Sequence, residues 1–281
     1  MIDYDHLMSY PIPEVRQSYG PRETAFYALS IGVGHDPMDE ADLAFVGAGP
    51  LTPFPTLPLV LGHPGFWLAR PDTGVDAVRL VHGEQWISLH HQLPPEGTVI
   101  GRTRVTGLVD KGEGRGALLY SEKELVDAET GLHYATTGST IFLRGDGGFG
   151  GPEGPVKPAH KLPESAPDMV HETATRPEQA LWYRWNGDEN PLHLAPAVAA
   201  KAGFERPILH GLCTLGIAAH GLVSRLCDGD PARFRGLQAR FTATVTPGER
   251  LRTEIWRDGS FRTVAVERGV VVIGNGLARV A

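Results

Sequence analysis

Alternating apolar and polar residues, the pattern of half-buried antiparallel strands, recur in both halves of this chain. In the first half the alternation covers residues 78–93, 98–109, 117–125 and 133–143. In the second half it covers residues 237–245, 251–256, 261–267 and 270–278. Turn pairs such as Pro247-Gly248 and Asp258-Gly259 separate strands of the second set, as expected for hairpins. The pattern therefore predicts an antiparallel sheet in each half.

Helical segments precede each set of strands. Short helical runs are predicted at residues 23–30, 176–183 and 196–202, and residues 39–45 show a similar mixture of acidic and apolar positions. The segment from residue 208 to about residue 226 is apolar on most sides, which is typical of a buried helix. Residues 1–22 show no clear periodicity, and we expect them to form an arm laid on the first domain.

A segment of different composition separates the halves. Residues 144–167 are dominated by glycine, proline and charged residues, the composition of a linker. The run GDGGFGG within it resembles a phosphate-binding loop, but it lacks the closing Lys-Ser/Thr pair and opens no helix. We therefore expect an N-terminal domain at 1–148, a linker at 149–170 and a C-terminal domain at 171–281.

Composition and terminal signals restrict the classes of binding partner and the cellular compartment that we expect. The net charge of −7 argues against nucleic acid or an anionic membrane as the main partner. Cys213 and Cys227 are the only cysteines, which fits a reducing compartment. The chain has no secretory signal pattern, no apolar run of membrane-spanning length and no terminal Ser-Lys-Leu address. We therefore expect a cytoplasmic protein.

The first segment with candidate chemistry is the turn-rich run GDENPLH at residues 187–193. Asp188 and His193 can point at one small volume across this turn and share a water as an acid–base pair. Asn190 would then orient the water or fix the loop. The same residue types also suit a plain surface turn with a capping Asp and an incidental His.

The second segment is PILHGLCT at residues 207–214, where the long helix begins. The N–H groups of a first helical turn lack partners within the helix, and Gly211 has no side chain to block the approach of a substrate oxygen. This is the anatomy of an oxyanion hole, although a glycine admitted only for close packing explains the run equally well. Together the two segments suggest chemistry on a carbonyl compound.

The run YRWNGDENPLH, followed by AGFERPILHGLCTLG, closely resembles the hydratase motif of the MaoC-like family. Within that family it is most similar to the type-2, (R)-specific 2-enoyl-CoA hydratases, including the hydratase part of the peroxisomal multifunctional beta-oxidation enzyme. Further segments resemble the family in the same order, among them LVHGEQWISLHHQLPPEG, LVDKGEGRGALL and QARFTATVTPGERLRTEIW. The resemblance thus covers nearly the whole chain from Tyr27 onward.

The resemblance implies an α+β double hot-dog fold, in which each half is a helix wrapped by an antiparallel sheet. It implies reversible syn addition of water to trans-2-enoyl-CoA, giving (3R)-3-hydroxyacyl-CoA, in fatty-acid or steroid side-chain beta-oxidation. Asp188 and His193 would be the catalytic pair, Asn190 the third polar member, and Gly211 the donor to the thioester oxygen. No cofactor and no metal are implied, and a homodimer is expected by analogy.

For the acyl-CoA substrate, the resemblance points to His82, Gly83, Lys111 and Phe241 as binding residues. Lys111 suits a phosphate or pantetheine contact, although a solvated turn lysine explains it equally well. Core packing accounts for Phe241 without a ligand, and His82 is ambiguous in the same way. A roomier acyl pocket is expected in the first half, shaped by the proline-rich residues 53–58.

The chain departs from the family pattern at Ala195, where an acid is frequent, and at Asn186, where serine is common. These changes bear on acyl-chain preference or loop rigidity. Two related activities stay open: a dehydratase that runs the same chemistry backwards on a carrier-protein thioester, and a thioesterase that aims water at the carbonyl carbon. A silent acyl-CoA-binding protein is disfavoured by the intact motif, and a metal hydrolase by the absence of His-x-x-x-His spacing.

Overall fold

Ten strands form one antiparallel sheet in the computed structural model, which describes residues 2–47 and 49–281. The strands of the first half are β1 (Val15–Tyr19), β2 (Leu80–Leu89), β3 (Gly97–Asp110), β4 (Ala117–Asp127) and β5 (His133–Leu143). Those of the second half are β6 (Met169–Ala174), β7 (Phe234–Phe241), β8 (Arg250–Ile255), β9 (Ser260–Ala265) and β10 (Val270–Val280). Their spatial order is β1-β3-β4-β5-β2-β7-β10-β9-β8-β6.

The two halves join edge to edge through β2 and β7. Glu84 pairs with Arg240 and Ile87 with Leu237 in an antiparallel register, so the sheet runs without a break from one half into the other. The Arg240 guanidinium also donates to the Glu84 carboxylate at this seam. The eight strands predicted from alternation are all present, and their pairing is antiparallel as expected.

Six α-helices flank the described part of the sheet: α1 (Tyr4–Met8), α2 (Pro21–Ser30), α3 (Glu40–Val46), α4 (Gln179–Tyr183), α5 (Pro196–Lys201) and α6 (Gly211–Leu226). Helix α6 is the longest, and its residues from Cys213 to Val223 are all buried, as its apolar character predicted. It begins three residues later than predicted, because His210 is extended and acts as the N-cap. In the first half the corresponding helix, α2, spans only ten residues.

The main core is shared by the two halves. Tyr27 and Ile31 of the first half pack in one buried cluster with Tyr183, Leu215 and other apolar residues of the second half. A smaller cluster lies under the N-terminus and contains Leu7, Trp67, Leu119 and Leu143. Because α6 supplies apolar side chains on most of its surface, it can be surrounded by the sheet and by helices from both halves.

The N-terminal arm at residues 1–22 contains a helix and a strand, which its lack of periodicity did not predict. Helix α1 buries Leu7 in the smaller cluster, and β1 pairs with β3 from Val15 to Tyr19 along the sheet edge. The segment between β5 and β6 has no helix or strand, and β6 begins at Met169, two residues before the expected start of the C-terminal domain at residue 171. Within the described residues, no helix combines the length and apolar character needed to cross a membrane.

Candidate active site

Three polar side chains meet where the loop after α4 approaches the start of α6. One oxygen or nitrogen atom from each of Asp188, His193 and His210 lies within 4.8 Å of the other two. Asp188 is half-buried, whereas His193 and His210 are buried. A single water with hydrogen bonds of about 2.8 Å can therefore bridge Asp188 and His193.

Local turn chemistry shapes the loop that carries Asp188. Gly187 ends a 3₁₀ turn with a φ of 106°, a left-handed conformation that favours glycine. Asn190 caps the next 3₁₀ turn, Pro191–His193, by accepting from the Leu192 N–H at 3.0 Å, and its own N–H donates to Asp188 Oδ1 at 3.2 Å. Asn190 is exposed, and both hydrogen bonds are those of a residue that fixes the loop.

His193 is oriented by its hydrogen bond to Ile208. Its Nδ1 lies 2.9 Å from the Ile208 carbonyl oxygen, and because a carbonyl only accepts, Nδ1 carries the proton. The other ring nitrogen, Nε2, is left with a lone pair. Burial lowers the pKa of His193 below its ordinary value, while the Ile208 carbonyl and the Asp188 charge act in the opposite direction. His193 is therefore a neutral imidazole with a basic Nε2.

His210 forms the wall of this site and was not among the residues expected to act. Its ring stacks on His193 with centroids 3.8 Å apart, and its Nε2 lies 3.4 Å from the Asp188 carbonyl oxygen. Burial lowers the pKa of His210 to about 4, and the neighbouring His193 acts in the same direction. Among the described residues its Nδ1 has no hydrogen-bond partner. His210 is thus a neutral, buried ring in contact with both members of the pair.

The same three side chains could in principle hold a metal ion. The geometry favours acid–base chemistry, because the two imidazole planes are inclined by only 29°. The lone pair of an imidazole nitrogen lies in the plane of its ring. The lone pairs of two stacked rings therefore point in nearly parallel planes and do not converge on one ion.

Gly211, Phe241 and His82 lie together beside the pair. Gly211 is the first residue of α6, where backbone N–H groups have no partner within the helix. A Cβ added to Gly211 would lie 3.3 Å from the Phe241 ring, and that ring stands 4.9 Å from the His82 ring in an edge-to-face contact. The structure therefore brings three of the expected oxyanion and binding residues against one another.

A bulge places His82 next to the second half. Gly83 interrupts the β2–β5 register, since His82 pairs with Ile141 and Glu84 with Thr140. The His82 Nε2 is 3.1 Å from the Glu84 carbonyl oxygen. Burial lowers the pKa of His82, and the Asp188 charge is near enough to act in the opposite direction. This bulge aims His82 at the Phe241 ring.

Lys111 stands apart from the other expected residues. It is exposed at the tip of the β3–β4 hairpin, where its ammonium lies 6.0 Å from the Phe142 ring centroid. The described contacts do not join it to Asp188, His193 or Gly211. Lys111 could meet only a distal part of a ligand whose reacting end lies between those residues.

Ser30, at the end of α2, connects the loop that carries Asp188 to the first half. Its carbonyl oxygen accepts from Gln179 Nε2 at 2.6 Å and from Cys213 Sγ at 3.5 Å, and its Oγ accepts from Asn186 Nδ2 at 2.8 Å. Burial raises the pKa of the Cys213 thiol well above its ordinary value, as expected for a packing cysteine and not a nucleophile. No sequence signal links Ser30 to partners that lie far along the chain.

A mostly apolar cavity of about 160 Å³ lies far from the Asp188 cluster. On one side it is lined by Pro53, Phe54, Pro55 and Pro58 of the proline-rich segment. On the other it is lined by Leu93 and by Phe234, which follows the C-terminal end of α6. The cavity and Gly211 thus lie near opposite ends of α6, which spans about 24 Å at 1.5 Å per residue.

Known proteins resemble the chain along nearly its whole length. Residues 17–145 match the MFE-2 hydratase 2 N-terminal domain, and residues 158–278 match the MaoC like domain. A protein of Arabidopsis thaliana named "Enoyl-CoA hydratase 2, peroxisomal" is 38% identical over 290 residues, which cover 96% of this chain and 93% of that protein.

Solved structures agree with this result. The crystal structure of a MaoC-like dehydratase from Phytophthora capsici superposes with a TM-score of 0.87 at 32% identity, covering 100% of this chain and 98% of that one. A Mycobacterium tuberculosis protein described as a double hotdog fold superposes with a TM-score of 0.56 at 16% identity, covering 96% of this chain and 94% of that one. The expected double hot-dog fold is therefore confirmed, while the roles of individual residues stay predictions.

Proposed function

This chain belongs to the MaoC-like enoyl-CoA hydratase 2 family, and we propose that it adds water reversibly to trans-2-enoyl-CoA to give (3R)-3-hydroxyacyl-CoA. The observation that carries the proposal is the meeting of Asp188 and His193 beside Gly211, the first residue of the buried helix α6. An acid–base pair next to a free backbone donor suits proton transfer at an α,β-unsaturated thioester. The enzyme is a hydro-lyase of acyl-thioester metabolism, in fatty-acid or steroid side-chain beta-oxidation.

His193 acts as the base in the hydration direction. One water donates to His193 Nε2 and to the Asp188 carboxylate, and its oxygen forms a bond with the β-carbon of the substrate. The proton released from this water passes to His193 Nε2, which is basic because Nδ1 is committed to Ile208. The imidazolium then returns the proton to the α-carbon on the same face, so the addition is syn and neutral His193 is restored.

Gly211 stabilises the charge that develops between these two proton transfers. When the oxygen adds to the β-carbon, the electron pair of the double bond moves to the thioester and leaves enolate character on its oxygen. The Gly211 N–H, at the positive end of α6, donates to that oxygen. Phe241 and His82 would line the same part of the thioester, since both rings lie against Gly211 or each other.

The acyl chain would run along α6 from Gly211 towards the apolar cavity beside Pro53–Pro58. The helix length of about 24 Å between these points favours substrates with a long acyl chain over crotonyl-CoA. We expect kcat/KM to rise with chain length until the chain reaches Phe54 and Phe234 at the far end.

The reverse reaction, dehydration of a 3-hydroxyacyl thioester, uses the same groups. The name of the Phytophthora capsici neighbour, a dehydratase, makes this direction the natural alternative. Purified protein should consume 2-enoyl-CoA with loss of the enoyl-thioester absorbance and form (3R)-3-hydroxyacyl-CoA, identified by chiral chromatography. Release of free CoA thiol, or formation of the (3S) product, would overturn the assignment. Faster turnover of a carrier-protein thioester would favour the dehydratase.

The proposed chemistry needs only water and the thioester, without a cofactor. A cytoplasmic location is supported by the two cysteines, Cys213 and Cys227, which are free and buried, although the Arabidopsis relative is named peroxisomal. A homodimer is supported by analogy with other paired hot-dog chains. Analytical ultracentrifugation tests the dimer, and imaging of the tagged protein in its own cell tests the compartment.

A further inference from the structure

The glycine-rich run after β5 is folded around a single carboxylate. Asp110, at the end of β3, is 4% exposed. Its Oδ1 accepts from the N–H groups of Gly112 and Gly148, both at 2.8 Å, and its Oδ2 accepts from the Gly150 N–H at 2.8 Å. Three backbone donors converging on one anion form a nest of the kind that elsewhere holds a phosphate. Here the anion belongs to the chain itself.

The close backbone packing around this nest explains why Gly147 and Gly148 must be glycine. A Cβ on Gly147 would lie 2.2 Å from the Gly112 carbonyl oxygen, and one on Gly148 would lie 3.0 Å from the Glu113 Cα. Although burial acts in the opposite direction, the N–H groups of Gly148, Gly112 and Gly150 lower the pKa of Asp110 below its ordinary value. The run is therefore a structured cover on the β3–β4 turn, and not a free spacer.

The nest fixes the backbone on both sides of Lys111. The Asp110 N–H donates to the Pro152 carbonyl at 2.8 Å, and the Asp110 carboxylate binds Gly112, so Lys111 lies between two anchored residues. The Lys111 N–H donates to Gly116 at 3.0 Å and closes the turn. Lys111 thus has a defined position in spite of its exposure.

The same turn carries a second cation. Arg115 places its guanidinium against Gly112, where an added Cβ would lie 2.7 Å from Nη2. Within residues 2–47 and 49–281, neither Lys111 nor Arg115 forms an ion pair. The Asp110 charge is taken up by backbone donors, so it does not draw the Lys111 ammonium inward. Glu113, exposed in the turn, is the one opposing charge between them.

The β3–β4 turn is separated from the proposed catalytic pair, as the phosphates of CoA are separated from its thioester. Phe142, under the Lys111 ammonium, pairs with Val81, the neighbour of His82 on β2. The strand that leads to the turn, β3, is three strand spacings from β2, about 14 Å across the sheet. In CoA the pantetheine arm separates the thioester from the phosphates, so a phosphate site must stand apart from Asp188 and His193.

From this arrangement we propose that Asp110 is a positioning residue, which holds the β3–β4 turn so that Lys111 and Arg115 together bind the phosphate groups of CoA. The proposal rests on the proposed function, and it adds to it the anchored carboxylate and the second cation. Asp110 itself does not touch the substrate. It acts through the turn backbone.

The decisive comparison is between crotonyl-CoA and crotonyl-pantetheine, which shares the acyl group and the arm but lacks phosphate. With Asp110→Asn we expect KM for crotonyl-CoA to rise roughly tenfold, the size of one lost charge-assisted contact, with kcat unchanged. The kinetics with crotonyl-pantetheine should not change. Lys111→Met and Arg115→Met should show the same split.

Glu113→Gln is the matched control, since it removes one negative charge from the same turn without touching the nest. We expect Glu113→Gln to lower KM for crotonyl-CoA weakly, because it removes a negative charge near an anionic ligand. If Asp110 acted only through its charge, Asp110→Asn would lower KM in the same way. An unchanged KM for crotonyl-CoA in Asp110→Asn, or an equal rise with both thioesters, would overturn the proposal.

Two further measurements test the proposal if Asp110→Asn does not fold or if the wild type has no hydratase activity. If Asp110→Asn does not fold by thermal melting, Gly148→Ala strains the nest from the other side and should give the same KM split. If the wild type hydrates neither thioester, the proposed function fails, but calorimetric titration with CoA alone still tests the phosphate site. Equal CoA affinity in wild type, Lys111→Met and Arg115→Met would then exclude it.

Discussion

The imidazole rings of His193 and His210 stack with their centroids 3.8 Å apart and their planes inclined by 29°. His193 belongs to the acid–base loop, whereas His210 is the N-cap of α6 and directly precedes Gly211. One ring contact therefore sets the position of His193, the proposed base, relative to Gly211, the proposed oxyanion donor. This contact makes His210 the residue through which the loop and the helix act as one site.

Substitution of His210 tests the stacking contact. We expect His210→Ala to lower kcat for 2-enoyl-CoA about 100-fold, because an unsupported His193 ring can shift by an ångström or more. His210→Phe keeps a flat ring and should recover most of kcat, with less than a tenfold loss. Steady-state kinetics of both variants decide the matter, and equal losses in the two would contradict a stacking role.

The pH dependence of kcat/KM should report the neutral His193. Burial lowers its pKa below the ordinary value of about 6.5, so the proposed base should be mostly unprotonated at pH 6.5 and above. Activity should decline only at lower pH, where Nε2 gains a proton. A profile of kcat/KM with crotonyl-CoA from pH 4.5 to 9 measures this acidic decline. A half-maximal value at or above pH 7 would contradict a neutral, buried His193 as the base.

Crowding at the oxyanion position gives a third test. Gly211→Ala keeps the backbone N–H, but its Cβ would lie 3.3 Å from the Phe241 ring, so the ring or the helix start must move. We expect kcat/KM to fall about tenfold or more, below the 10² to 10³ typical of a fully lost donor. The melting temperature should hardly change, since alanine favours helix. Failure of Gly211→Ala/Phe241→Leu to recover activity would argue against crowding by this ring.

Local patterns predicted most of the fold. Eight of the ten strands in the described sheet follow from alternation, and the buried helix α6 follows from its all-round apolar character; both patterns depend on neighbouring residues alone. Strand β1 escaped prediction because its five residues, VRQSY, are mostly polar on a sheet edge. The contacts of the glycine-rich run could not be predicted from its linker composition, because its partner, Asp110, is a single residue on another element.

The candidate site was predictable where its residues are close in sequence. Asp188, Asn190 and His193 share one turn, so their proximity follows from turn chemistry. The His210 stack and the Ser30 anchor depend on how α6 and α2 pack, which no local pattern encodes. Lys111 lies far from the other expected residues, a separation that only the sheet order reveals.

The close packing of Gly62, which follows the proline-rich segment, against Gly101 can be tested by measuring the free energy of unfolding. A Cβ on Gly101 of β3 would lie 2.0 Å from the Gly62 carbonyl oxygen, and because that oxygen belongs to the backbone it cannot move aside cheaply. We expect Gly101→Ala to lower the free energy of unfolding by about 3 kcal/mol or more. Gly131→Ala, with a φ of +73° and no neighbour within 4 Å, should cost only about 1–2 kcal/mol. Equal urea midpoints for the two variants would contradict the close contact.

The most direct test of the proposed catalytic pair compares Asp188→Asn with Glu189→Gln. Both changes remove one carboxylate from the same loop, but Glu189 is exposed and lies outside the cluster with His193 and His210. The measurement is the initial rate of 2-enoyl-CoA hydration, with chiral analysis of the product. We predict formation of (3R)-3-hydroxyacyl-CoA by the wild type and by Glu189→Gln, and a rate at least 100-fold lower for Asp188→Asn. Full activity in Asp188→Asn, or an equal loss in Glu189→Gln, would contradict the assignment of Asp188 and His193 as the catalytic pair.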